Sequence, residues 1–186
     1  MPSLQGHFLV ASPYLADGNF NRTVVLMVKH DDDGAFGLVL NRPTDNRIAD
    51  FLQLIAEDLP HEIENEDVIY LGGPVSGPVV ALHANQEASE CEILPGIYFS
   101  SLKMHVTQVL ASEDERYRLF MSYSGWGPGQ LEGELEDGGW LIAKATPELV
   151  FYPHEDLWQR IIDSIGRTIL SPVIPKKNVT DNPALN

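Results

Sequence analysis

The sequence predicts an α+β fold, on three observations. Short apolar, β-branched runs bounded by Gly, Pro and Asp clusters recur along the chain, as strands joined by turns require. Other segments, around residues 48–55, 102–110 and 157–165, place their apolar residues at helical spacing. The two kinds interleave irregularly, without the steady βαβα alternation of a doubly wound sheet.

Taken in order, His7 to Ala11 is a short apolar run ended by Ser12-Pro13, and Thr23 to Val28 is long enough for a buried strand. Asp31-Asp32-Asp33-Gly34 and then Phe36 to Leu40 predict a hairpin with an acidic, solvated tip. The tip lacks the alternating ligands and closing glutamate of a calcium loop. Asn41-Arg42-Pro43 closes the second strand, because proline donates nothing to a ladder. Thr44-Asp45-Asn46 offers N-caps for a helix carrying Ile48, Phe51, Leu52 and Ile55, which Pro60 ends.

Val68 to Leu71 and Val79 to Leu82 are further strands around the Gly72-Gly73-Pro74 turn, and the acidic stretch from Ala84 to Pro95 reads as a surface loop. Ser100 or Ser101 caps a helix carrying Leu102, Val106, Val109 and Leu110. Leu119 to Tyr123 is a strand feeding the glycine-rich corner Ser124 to Gly129, which opens a short helix over 130–136. Trp140 to Ala145 is one more strand. The last helix has Leu157, Trp158, Ile161, Ile162 and Ile165 on one face, Glu155 and Asp156 in its first turn, and Gly166 near its end.

The 186 residues suit a single domain over residues 4–170, followed by a mobile tail over 171–186 that holds three of the thirteen prolines. The whole chain carries 12 Lys+Arg against 27 Asp+Glu, a formal charge of −15. Removing the tail's two lysines and one aspartate leaves 10 against 26, so the acidity belongs to the folded part. An acidic body without a basic face argues against direct binding of nucleic acid or an anionic membrane. A protein partner with a basic surface fits that charge. The sequence gives no basis for an oligomeric state. No apolar run reaches the roughly 20 residues of a membrane span, no leader is evident, and Cys91 stands alone, so a cytoplasmic protein is expected.

Candidate chemistry is sparse. Cys91 sits between Glu90 and Glu92, which disfavour its thiolate. No CxxC or HExxH spacing points to a metal, no lysine follows the glycine corner to make a phosphate loop, and Gly73-Pro74-Val75-Ser76-Gly77 misses the spacing of a nucleophile elbow. No cofactor is expected. Three turns remain as binding candidates: Asn41 and Arg42 at a strand end, Gly73 in its turn, and Trp126 in the corner, followed by Gln130 and Glu132. His30 and Glu132 are the acid/base candidates. Each has a structural alternative: Asn41 ending the ladder, Arg42 pairing with a carboxylate, Trp126 packing a strand–helix junction, His30 as an ordinary strand-end residue.

Gly6-His7-Phe8-Leu9-Val10-Ala11-Ser12-Pro13, Asp17, Phe20, Arg22-Thr23-Val24, His30 with Gly34 to Pro43, Gly72-Gly73-Pro74-Val75 and Tyr123 to Glu132, in this order, resemble the signature regions of the YqgE/AlgH family of bacterial proteins. The resemblance spans residues 4–170. It implies a strongly bent, bifurcated sheet forming a pseudo-barrel flanked by helices. Functionally it implies little: the family is largely uncharacterised, and one branch is named for a role in regulating transcription of alginate production. With no helix-turn-helix and no basic face, a regulator acting through another protein fits better than one contacting DNA. Two readings follow. One is a binding or regulatory protein without catalytic chemistry. The other is a small-molecule-binding protein or enzyme with an anionic-ligand pocket formed by Asn41/Arg42, Gly72 to Pro74 and Trp126.

Overall fold

Alternation along three neighbouring strands decides where the core forms. In a computed structural model that describes residues 1–55, 67–112 and 116–170, the first strands are β1 (His7–Ala11), β2 (Val24–Asp31) and β3 (Gly34–Val39). Phe8, Val10, Val24, Leu26, Val28, Leu38 and Leu40 enter one cluster, while Leu9, Ala11, Val25, Met27, Ala35 and Val39 enter another on the opposite face. Both faces of these strands are buried, which is why their sequence reads as nearly continuous apolar runs rather than alternating ones.

The remaining elements are β4 (Pro43–Arg47), α1 (Ile48–Ile55), β5 (Val68–Tyr70), β6 (Val75–His83), β7 (Cys91–Leu94), β8 (Ile97–Ser100), α2 (Lys103–Leu110), β9 (Tyr117–Trp126), α3 (Gln130–Glu136), β10 (Trp140–Lys144), α4 (Pro147–Val150) and α5 (His154–Leu170). The main path of the sheet runs β10-β1-β2-β3-β9-β6-β8-β7. β9 is where it forks. Its C-terminal half pairs with β3 (Ala35↔Trp126 to Gly37↔Ser124), whereas Phe120 in its N-terminal half meets Tyr70 of β5 in the sheet's parallel pairing. The sheet curls into a half-barrel, bringing β7 back beside the N-terminus: Gln5 donates to the Glu92 carbonyl at 3.3 Å. The inner cluster fills this curl and is covered by Leu157 and Ile161 of α5, with Trp158, Ile162 and Ile165 packed against it. A third cluster joins Ile48 of α1 and Val106 and Leu110 of α2 to the outer sides of β6 and β9.

The α+β class and the bent, forked sheet stand as expected, with three local corrections. Thr44-Asp45-Asn46 do not cap a helix; they lie in β4, an edge strand paired with β5, where a leading proline is tolerated. The acidic stretch from Ala84 contains β7, and Ile97–Ser100 forms β8, because pairing partners outweigh the poor strand character of Cys91-Glu92. Neither Ser100 nor Ser101 caps α2. Leu102 holds that position, and the Glu90 carboxylate takes the Ser101 and Leu102 N–H groups at 2.6 Å each. α5 runs through Gly166 to Leu170. Pro60, the side chains of Leu52 and Ile55, and the tail from Ser171 lie outside the described residues.

Candidate functional site

His30 is the next-to-last residue of β2, with a side chain that is 4% exposed. Its Nδ1 accepts the Leu4 N–H at 3.1 Å, so the ring proton sits on Nε2 and is donated to Glu132 Oε1 at 3.0 Å. Ser3 Oγ donates to the His30 carbonyl at 2.8 Å. The two acid/base candidates thus meet, 102 positions apart in sequence, and both ring nitrogens are engaged. The Glu132 carboxyl is held below the usual range, first by its own backbone N–H and then by His30. The pair fastens the N-terminal segment and α3 to the end of β2.

Trp126 closes β9 and is 6% exposed. Its ring stacks near Phe20 with centroids 6.0 Å apart, and Phe20 meets Trp140 edge-on at 5.2 Å. One oxygen of Glu134 accepts both indole N–H groups, from Trp126 at 2.9 Å and Trp140 at 2.8 Å, while its other oxygen accepts from Gln130 Nε2 at 3.0 Å. Gln130 in turn accepts the Gly127 N–H at 3.1 Å. Gly129 stands at φ +72°, where glycine is the natural occupant, and turns the chain into α3. The corner is therefore a packed strand–helix junction whose buried donors all find acceptors. Beside it opens a recess of about 410 Å³, bordered by Tyr14, Phe20, Trp140, Asp17, Glu134 and Asp137.

Asn41 Oδ1 accepts the Val24 N–H at 3.0 Å, and its amide donates to the Arg22 carbonyl at 2.9 Å, which ends the β2–β3 ladder. Among the described residues Arg42 has no carboxylate partner; its Nη2 donates to the Asn21 carbonyl at 3.1 Å. Gly73 is buried, its N–H donating to Ser122 Oγ at 3.2 Å and its carbonyl accepting from the same hydroxyl at 2.7 Å. A Cβ there would come within 2.3 Å of Ser124 Oγ and 2.4 Å of the Tyr123 backbone. The turn is glycine because backbone passes against backbone at the fork of the sheet.

These groups are distributed along β3. Trp126 registers with Ala35 near its start, and Asn41-Arg42 follow its end at Val39, about 20 Å apart along extended chain. What joins them is the loop before β2: Phe20 packs on Trp126, while the Asn21 and Arg22 carbonyls receive Arg42 and Asn41. Cys91 is exposed, and burial of its sulfur together with Glu90 raises its thiol pKa.

Glu134 is the residue that sequence reading overlooks. Sequence spacing puts Glu132 and Glu136 on one helix face, and only the fold shows Glu132 turned to His30 and Glu134 to two indoles. The i,i+4 spacing from Gln130 was its one local signal. Among the described residues, no group of three or more His, Cys, Asp or Glu side chains is placed to hold a metal, and no helix is long and apolar enough to cross a membrane.

A family profile described as AlgH-like matches residues 8–170. A UPF0301 protein of Chlorobium chlorochromatii is 32% identical over 185 residues, covering 93% of this chain and 94% of the relative. One from Shewanella sp. strain ANA-3 is 36% identical over 176 residues, covering 89% and 93%. The solution structure of the AlgH protein from Pseudomonas aeruginosa superposes with a TM-score of 0.72 at 29% identity, covering 100% of this chain and 97% of that one. A crystal structure of a Corynebacterium diphtheriae protein gives 0.70 at 25% identity, covering 88% and 87%.

Proposed function

This chain belongs to the AlgH-like family, and from that premise we propose that it is a cytoplasmic, non-catalytic binding protein that acts through a protein partner bearing a basic surface. Any influence on transcription then passes through that partner, because the acidic body repels phosphate backbones. The observation that carries the reading is the His30–Glu132 pair. The buried His30 ring is engaged at both nitrogens, by the Leu4 N–H and by Glu132 Oε1, which supports a structural use of the pair. The signature turns are committed in the same way, Gly73 to Ser122 and Asn41 to β2 and its preceding loop.

The test is affinity capture from native lysate at low and high salt, alongside an amide NMR titration with nucleotides, sugar phosphates and small carboxylates. The expected result is a stoichiometric partner with a basic patch, released by salt, and amides silent toward every small molecule. Saturable shifts centred on Arg42, Gly73 and Trp126 would replace this reading with the small-molecule one.

A further inference from the structure

The recess beside the Trp126 corner brings aromatic residues and carboxylates together. Three aromatic residues border it: Phe20, the largely buried Trp140, and Tyr14, which stands 93% exposed at the rim. Its carboxylates come from Asp17, Glu134 and Asp137, and no Lys or Arg borders it among the described residues. Glu134 is the decisive group. The donors it accepts from, two indoles and one carboxamide, are all neutral, so its hydrogen bonds are satisfied while its charge keeps no cationic neighbour among them. A carboxylate held by neutral donors beside aromatic rings favours a cation with a flat, weakly hydrated face. The volume, about 410 Å³, is within the range of ligand-sized pockets. An exposed tyrosine at the mouth is the residue type that anchors protein contacts.

We infer that this recess receives an arginine side chain from a basic segment of a protein partner, with the guanidinium between the aromatic walls and the Glu134 and Asp137 carboxylates. The inference rests on the reading above and gives its partner a docking point. Arginine is favoured over lysine because a planar guanidinium stacks on rings and sheds its hydration more readily.

The test uses the full chain, labelled with 15N, and two acetylated peptide amides of five residues, one all arginine and one all citrulline, its uncharged near-isostere. The Trp140 indole N–H borders the recess and the Trp126 indole N–H shares its Glu134 acceptor, so both signals report on it. The arginine peptide is expected to shift both saturably, and the citrulline peptide to leave them unmoved. Tyr14→Ala and Asp137→Asn, both at exposed positions, should each weaken the arginine peptide at least fivefold. Asp32→Asn, in the remote acidic hairpin tip, should change it less than twofold. Unmoved indoles, or equal weakening by Asp32→Asn and Asp137→Asn, would overturn the site, the latter because it signals a diffuse acidic field. The salt-released partner provides a separate check. If Tyr14→Ala with Asp137→Asn captures it undiminished, the recess is overturned and the broader reading stands. If no such partner is captured while the arginine peptide still binds in the recess, the site stands and the broader reading fails.

Discussion

The Arg118 guanidinium carbon lies 4.9 Å from the centroid of the Tyr70 ring, joining β9 to β5 across the fork of the sheet. Its nitrogens donate to the carbonyl of Leu40, just past β3, at 3.0 Å and to that of Tyr152, before α5, at 2.5 Å. One side chain, 8% exposed, thereby ties four segments together. Burial lowers its pKa, opposed by Tyr70 and Glu155. Arg118→Met should destabilise the protein by about 2–3 kcal/mol, since it strands two carbonyls. Arg118→Lys should recover part of that loss. Urea unfolding measures both, and a neutral Arg118→Met would show that the buried charge costs what its bonds return.

His30 and Glu132 separate on substitution. His30→Ala removes a buried ring and leaves the Leu4 N–H without its acceptor, so a loss of about 2–3 kcal/mol is expected. Glu132→Gln keeps an oxygen for Nε2–H and should cost less than about 1 kcal/mol. Hydrogen exchange at the Leu4 amide should accelerate in the first variant only.

Gly73 and Gly129 both have positive φ, +154° and +72°, but a Cβ meets backbone within 2.4 Å only at Gly73. Gly73→Ala should therefore cost more than about 3 kcal/mol or prevent folding, as overpacking of backbone against backbone predicts. Gly129→Ala should cost about 1–2 kcal/mol, the left-handed strain alone. Expression level and thermal midpoint rank the two.

Glu134→Ala would leave two buried indole N–H groups without acceptors. A loss of about 2–4 kcal/mol follows if each costs 1–2. Tryptophan emission should move to the red as water reaches the corner. Unchanged emission and stability would mean the indoles find other acceptors.

Glu90 links stability to pH. Burial raises its pKa, but hydrogen bonds from the Leu102 and Ser101 backbone and the Ser101 hydroxyl, with the His105 ring 3.4 Å away, together outweigh it, and the net shift is downward. A folded pKa below the unfolded one adds stability that is complete above about pH 4.3 and is lost as pH falls through the folded value. Glu90→Gln should flatten that acid limb. Unfolding midpoints followed from pH 6 to pH 3 give the comparison.

The strands at His7–Ala11, Val24–Val28, Val68–Tyr70 and Trp140–Lys144, the last helix from Glu155 to Ile165, though not its run past Gly166, and the acidic hairpin tip were legible in the sequence. Each is set by local periodicity, β-branching or turn chemistry, which act over a few residues. β4 and β7 were not legible, because polar strands at positions 43–47 and 91–94 exist only through their partners β5 and β8. The signature residues were visible as types, yet their roles were not. Gly73 is a glycine because β9 passes against it, and His30 is engaged because Leu4 and Glu132 arrive at its two nitrogens. Likewise Glu134 leaves its acidic run to serve two indoles. Sequence alone thus determined the family, the acidity and most elements. Only the tertiary structure decided which polar groups are consumed by the fold, because a hydrogen bond spanning 102 residues leaves no trace in local pattern.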